Sequence, residues 1–84
     1  MPLRFGDNVS TAQTDYGTVL LDERGGAYWE LNPTATLVVR TLLDGGEESD
    51  AAAALVREFD IDEAQALRDV EALVEQLRDS GLAS

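Results

Sequence analysis

The step at Asn32-Pro33 divides the chain into two unlike halves, and this division limits the folds open to it. Asn is a favoured helix N-cap, and proline suits the first helical position because its missing N–H would have no intrahelical acceptor there. Before this point apolar residues alternate in short runs, whereas after it they recur at the i, i+3, i+4, i+7 spacing of helices. Strands first and helices afterwards predict an α+β fold, a sheet with helices packed to one side.

In the first half, Val9 to Gln13 forms a short, weakly alternating segment, and Asp15-Tyr16-Gly17 supplies a turn. Thr18 to Asp22 is a compact apolar run ending at Glu23-Arg24-Gly25-Gly26, where the glycines permit a tight hairpin. Ala27 to Leu31 follows, rich in aromatics. The expectation is a three-stranded antiparallel meander.

In the second half, a helix from Pro33 to about Leu43 presents Ala35, Val38, Val39 and Leu42 on one face and stops at Asp44-Gly45-Gly46. Ser49 is placed to cap a second helix with Ala52, Leu55, Val56 and Phe59 on its apolar face. Asp62 and Gln65 form a capping-box pattern for the third, with Ile61 and Ala66 as its staple. Its expected buried stripe is Leu67, Val70, Leu73, Val74 and Leu77; Gly81 suits a left-handed C-terminus that folds Leu82 back on Leu77. The helical half looks like a winged helix-turn-helix unit with its wing moved to the N-terminus. A single domain over residues 1–84, with its core at about 9–82, accounts for the whole pattern.

The chemistry open to this chain is narrow. It has no cysteine and no histidine, which removes thiolate or imidazole metal sites, a cysteine nucleophile and any histidine-based triad. Asp44 to Asp50 is acidic and contains glycine, but its spacing is wrong for a calcium loop, so it reads as a solvated loop. An acyl carrier protein is also small and acidic, but its Asp-Ser-Leu site opens a helix, whereas Asp79-Ser80 here ends one and precedes Gly81. No pair of acids stands out among 17 at a spacing that suggests carboxylate catalysis. The expectation is a non-enzyme with no catalytic residues, metal or cofactor.

Seventeen acids against six arginines and no lysine give a net charge of −11. Nucleic-acid binding requires a basic face, so a winged-helix DNA-binding regulator, the rival reading of the fold, is disfavoured. The same charge disfavours anionic membranes and favours encounter with a basic partner, or simply maintains solubility. No apolar run approaches the ~18–20 residues needed to cross a bilayer. Met1 to Gly6 has no signal-peptide character, so a cytoplasmic location is expected.

The third strand is the candidate functional element. Sheet edges are usually protected by charge, proline or bulges, yet Tyr28, Trp29 and Leu31 have only Glu30 among them. In a three-strand meander this strand lies at an edge, where a guest peptide can add as a further strand beside a helix. Alternation turns Trp29 and Leu31 towards the core and Tyr28 and Glu30 away from it, which leaves the main-chain edge free. Asp69, Leu73 and Gln76 lie on one flank of the third helix and are candidates for the groove wall; the plainer alternative is a solvated helix face. The candidate peptide-binding set is Ala27, Tyr28, Trp29, Glu30, Leu31, Asp69, Leu73 and Gln76.

Thr18-Val19-Leu20-Leu21-Asp22, then Gly26-Ala27-Tyr28-Trp29-Glu30-Leu31-Asn32-Pro33-Thr34-Ala35, then Leu42-Leu43-Asp44-Gly45 together resemble the PqqD-like family. Asp69-Val70 and the ending Leu77-Arg78-Asp79-Ser80-Gly81-Leu82 are also similar, so the resemblance covers about residues 9–82. It implies a recognition element for ribosomally made, post-translationally modified peptides (RiPPs), which holds the precursor's leader as an added strand against the third strand, beside the third helix. A free-standing acidic member of this size most resembles the small B1 proteins of lasso-peptide systems. The partners so implied are a precursor leader peptide, often carrying Tyr-x-x-Pro, and a leader-cleaving cysteine peptidase of the B2 type. Service to another RiPP-modifying enzyme as a peptide chaperone is the alternative within the family. A monomer is expected, with edge-strand pairing of two copies as the other outcome.

Overall fold

Asn32 caps the first helix as its sequence position implies. Its side-chain oxygen accepts a hydrogen bond from the Ala35 N–H at 2.8 Å, and Pro33 opens the helix. A computed structural model describes residues 3–26 and 28–83 of the chain. Strands β1 (Val9–Thr14), β2 (Gly17–Asp22) and β3 (Tyr28–Leu31) precede helices α1 (Pro33–Leu43), α2 (Glu48–Phe59) and α3 (Glu63–Asp79). The strands form one antiparallel sheet in the order β1-β2-β3, so β1 and β3 are both edges.

Register sets which side chains enter the core. Leu20 faces Trp29 and Thr18 faces Leu31 across the β2–β3 pair. Leu20 and Leu31 are buried with Val38, Leu42, Leu55, Val70, Val74 and Leu77, which places the helices against this side of the sheet. Leu21 and Tyr28, the next pair along the ladder after Leu20 and Trp29, face outward and are exposed. α1 packs on β2 and β3, while α2 packs between α1 and α3. Among the described residues, no helix is long and apolar enough to cross a membrane.

Four local features depart from the sequence expectation. α2 is capped by Glu47, not Ser49: the Asp50 carboxylate accepts from the Glu47 N–H at 2.8 Å, which draws the helix start forward. The β2–β3 connection is not a tight turn, since Leu21 pairs with Tyr28 and leaves residues 22–27 between them. There Asp22 Oδ1 accepts from the N–H groups of Arg24 and Gly25 and from Asn8 Nδ2, and the longer loop forms around this carboxylate. On α3, Leu67 is 40% exposed while Ala66 is fully buried, so the buried stripe starts at Ala66 and runs through Val70, Val74 and Leu77. Phe59 is likewise 40% exposed, as α2 ends there and Asp60 turns into a left-handed conformation.

The two ends of the fold meet. Gly81 has φ +83°, as expected for the close of α3, and Leu82 is buried in the same cluster as Leu77. The Leu82 carbonyl accepts from the Gly6 N–H at 3.1 Å, and Phe5 bridges to Ala83. Leu3 is therefore part of the core, which starts earlier than residue 9.

Candidate functional site

β3 is hydrogen-bonded to β2 on one side only. α1 is the helix that packs on β3, whereas no Cα of β3 comes within 8 Å of a Cα of α3. The free side of β3 thus keeps its main-chain groups unpaired by any strand, and α3 does not pack on it. Two-residue loops close on a hydrogen-bonded pair, and such pairs alternate along an antiparallel ladder. Counting from Thr14 and Gly17 across the register, Tyr28 and Glu30 are the β3 residues whose main chain turns away from β2.

Beside the end of β3 lies a groove of about 340 Å³ between the start of α1 and one flank of α3. Asp69, Leu73 and Gln76, spaced i, i+4, i+7, form its α3 wall together with Ala72. Asn32, Thr34 and Ala35 form the opposite rim, and the buried Val38 and Leu55 form its floor. The Asn32 rim is held in place, since its oxygen accepts from both the Ala35 N–H and the Thr34 hydroxyl. The Asp69 carboxylate accepts from Gln65 Nε2 at 2.7 Å on its own helix, so it is oriented but remains exposed to a guest. An apolar floor with polar rims suits an amphipathic side chain more than a free apolar one.

The expected site residues therefore fall into two groups. Trp29 is half-buried and Leu31 buried, both turned to the core, while Tyr28 at 63% and Glu30 are exposed on the outer face. Asp69, Leu73 and Gln76 do converge on one groove, but with the end of β3 and not with its middle. Ala27 lies outside the described residues. The sequence reading missed Asn32, Thr34 and Ala35 as rim residues, although their position directly after β3 was a usable signal. Nothing local marked Val38 and Leu55 as a floor, since periodicity assigns them to the core in any case.

The electrostatic setting is uneven. Residues 47–79 contain eleven acids and three arginines, so eight of the eleven net negative charges belong to α2, α3 and their caps. The groove lies in an acidic helical layer, a setting that favours basic over acidic ligands. Among the described residues there is no group of three or more histidine, cysteine, aspartate or glutamate side chains that could hold a metal ion. At the far end of the β2–β3 pair, the Asp22 carboxyl is held below its ordinary pKa, chiefly by the Gly25 N–H and then by Asn8.

Comparison with known proteins brings three findings. The family model for coenzyme PQQ synthesis protein D (PqqD) matches residues 17–83. A solved structure described as lasso peptide synthetase B1 complexed with the leader peptide is similar at 46% identity and a TM-score of 0.93, covering 100% of this chain and 99% of that one. TbiB1 in complex with the TbiA(beta) leader peptide shares the fold at 23% identity and a TM-score of 0.85, over 96% of this chain and 94% of that one. No curated protein matches.

Proposed function

This chain belongs to the PqqD family, and from that premise we propose that it binds the leader segment of a ribosomally made precursor peptide as a fourth strand on β3. In this reading it is a single, non-catalytic recognition domain in lasso-peptide biosynthesis. It delivers the leader to a maturation enzyme, a leader-cleaving cysteine peptidase of the B2 type. The observation that carries the reading is the unpaired β3 edge standing clear of α3, with a groove walled by Asp69, Leu73 and Gln76 at its end. The 46% identical relative in complex with a leader peptide supports the same assignment of guest.

Main-chain groups of Tyr28 and Glu30 pair with the guest backbone, and the guest's alternate side chains turn towards the groove. Micromolar to nanomolar affinity requires about −8 to −12 kcal/mol. Two buried guest side chains contribute ~1.5–3 kcal/mol each, and each hydrogen bond to the β3 edge adds about 0.5–1.5 kcal/mol. Ordering the leader costs ~2–5 kcal/mol of the gross gain.

The test is titration of the protein with synthetic leader from the precursor gene beside its own, read by the fluorescence of Trp29, the only tryptophan. The native leader shifts the emission and saturates, and a scrambled leader does not. Failure of every co-encoded peptide to bind would overturn the assignment. The family's description as a coenzyme PQQ synthesis protein favours a second reading, in which the modifying enzyme served is not a peptidase. Which co-encoded enzyme binds the loaded complex decides between the two.

A further inference from the structure

The leader reading uses one sheet edge, and the sheet has two. β1 is the longer, six residues against four, and in Val9-Ser10-Thr11-Ala12-Gln13-Thr14 it carries no charge and no proline. Charged residues make up 27% of the chain, yet none occurs from Asn8 to Thr14. Thr11 to Thr14 are all exposed, and no other charge-free stretch of the described residues has four consecutive exposed side chains. Edge strands are ordinarily blunted by charge or proline, and here both are missing.

We propose that the free edge of β1 pairs antiparallel with β1 of a second copy of this chain, joining two sheets into one of six strands. Along this edge a second copy meets no like charge. Two bodies of net charge −11 repel each other overall, and β1 is an edge along which they approach without like charges facing each other. For both helical layers to share one side of the joined sheet, a symmetric pair must centre on a residue and keep like faces together. Centring on Thr11 sets Asp7 against Asp15 of the second copy, whereas centring on Ala12 sets Asp15 against Val9. The Ala12 register therefore avoids like charges, and it opposes Thr11 to Gln13 on the helix side. Below that side, Leu43 is 44% exposed beside Val39, Thr11 and Gln13 in a hollow of about 110 Å³ that the added strand covers. The joined sheet leaves both β3 edges at its outer ends, free for leader binding.

The chain has no cysteine, so single introduced thiols report pairing directly. Cross-strand neighbours outside the hydrogen-bonded pairs stand ~4.5 Å apart at Cα, within disulfide reach. Sedimentation velocity should show a dimer whose share grows with protein concentration and with salt from about 0.05 to 0.5 M, as screening weakens the repulsion. Under mild oxidation Ala12→Cys should form a covalent dimer and Tyr28→Cys, on β3, should not. Thr11→Pro should lower the dimerisation constant at least tenfold. A purely monomeric protein throughout, or a dimer cross-linked through Tyr28→Cys and not Ala12→Cys, would overturn the proposal. Because Ala12→Cys is a small change at an exposed position, this outcome stands even if Thr11→Pro fails to fold.

Discussion

A side chain at residue 17 has no room, because a Cβ added to Gly17 would overlap the carbonyl oxygen of Leu31. Gly17 has φ +150° and opens β2, and Leu31 closes β3 just before the helix cap at Asn32. This close approach fixes the end of β3 against the first hairpin and so sets the height of the groove rim. Gly17→Ala is expected to destabilise the fold by about 1–3 kcal/mol through backbone strain and displacement of Leu31. Urea denaturation followed by circular dichroism measures it, and an unchanged midpoint would show that the β3 end adjusts freely.

Glu30→Pro tests strand addition itself. Because the Glu30 main chain faces away from β2, proline there removes an N–H from the free edge and leaves the β2–β3 pairing intact. The variant should fold with a native far-ultraviolet spectrum and bind leader at least tenfold more weakly, a loss of about 1.4 kcal/mol. Retained affinity in a folded variant would place the guest elsewhere.

Much of this arrangement is legible in the sequence. Asn32-Pro33 announced the change from strand to helix, and simple alternation turned Trp29 and Leu31 inward, because each signal is local and has a single physical reading. The cap of α2 was not legible, since Glu47 and Ser49 both precede acidic or polar residues and only the reach of Asp50 distinguishes them. The loop around Asp22 was hidden for a similar reason: its carboxylate is completed by Asn8, fourteen residues away. Leu3 joins the core only because the chain ends meet at Leu82 and Gly6, a long-range contact that no periodicity encodes. The groove divides in the same way. Helical spacing put Asp69, Leu73 and Gln76 on one flank, but the rim opposite comes from Asn32 and the start of α1, and the floor from both α1 and α2.

The Asp22 cluster predicts a defined acid response. Hydrogen bonds from Gly25 and Asn8 hold the folded carboxyl below its ordinary value of 3.8, so the unfolded chain binds its proton more readily. Its contribution to stability is thus complete above about pH 3.8 and is lost as pH falls through the lower folded value. Wild type should therefore exceed Asp22→Asn in urea midpoint near neutrality, and the gap should narrow in strong acid. A gap that is constant or widens on acidification would mean that the carboxylate charge does not hold this loop.

The final prediction separates the groove from the edge. Leu73 is half-buried at the α3 wall, and Leu73→Ala removes apolar surface that a guest side chain would cover. Partial burial limits its cost to folding, so leader affinity should fall by about 1–2 kcal/mol, five- to thirtyfold, with a smaller loss of stability. Asp69→Asn keeps the size of its side chain and removes the charge, so its effect on affinity should shrink as salt rises, if the guest is basic at that point. Calorimetric titration of both variants at low and high salt reads the two contributions independently. A salt-independent loss at Asp69 would assign it to hydrogen bonding with the guest, and no loss at Leu73 would remove the α3 flank from the binding surface.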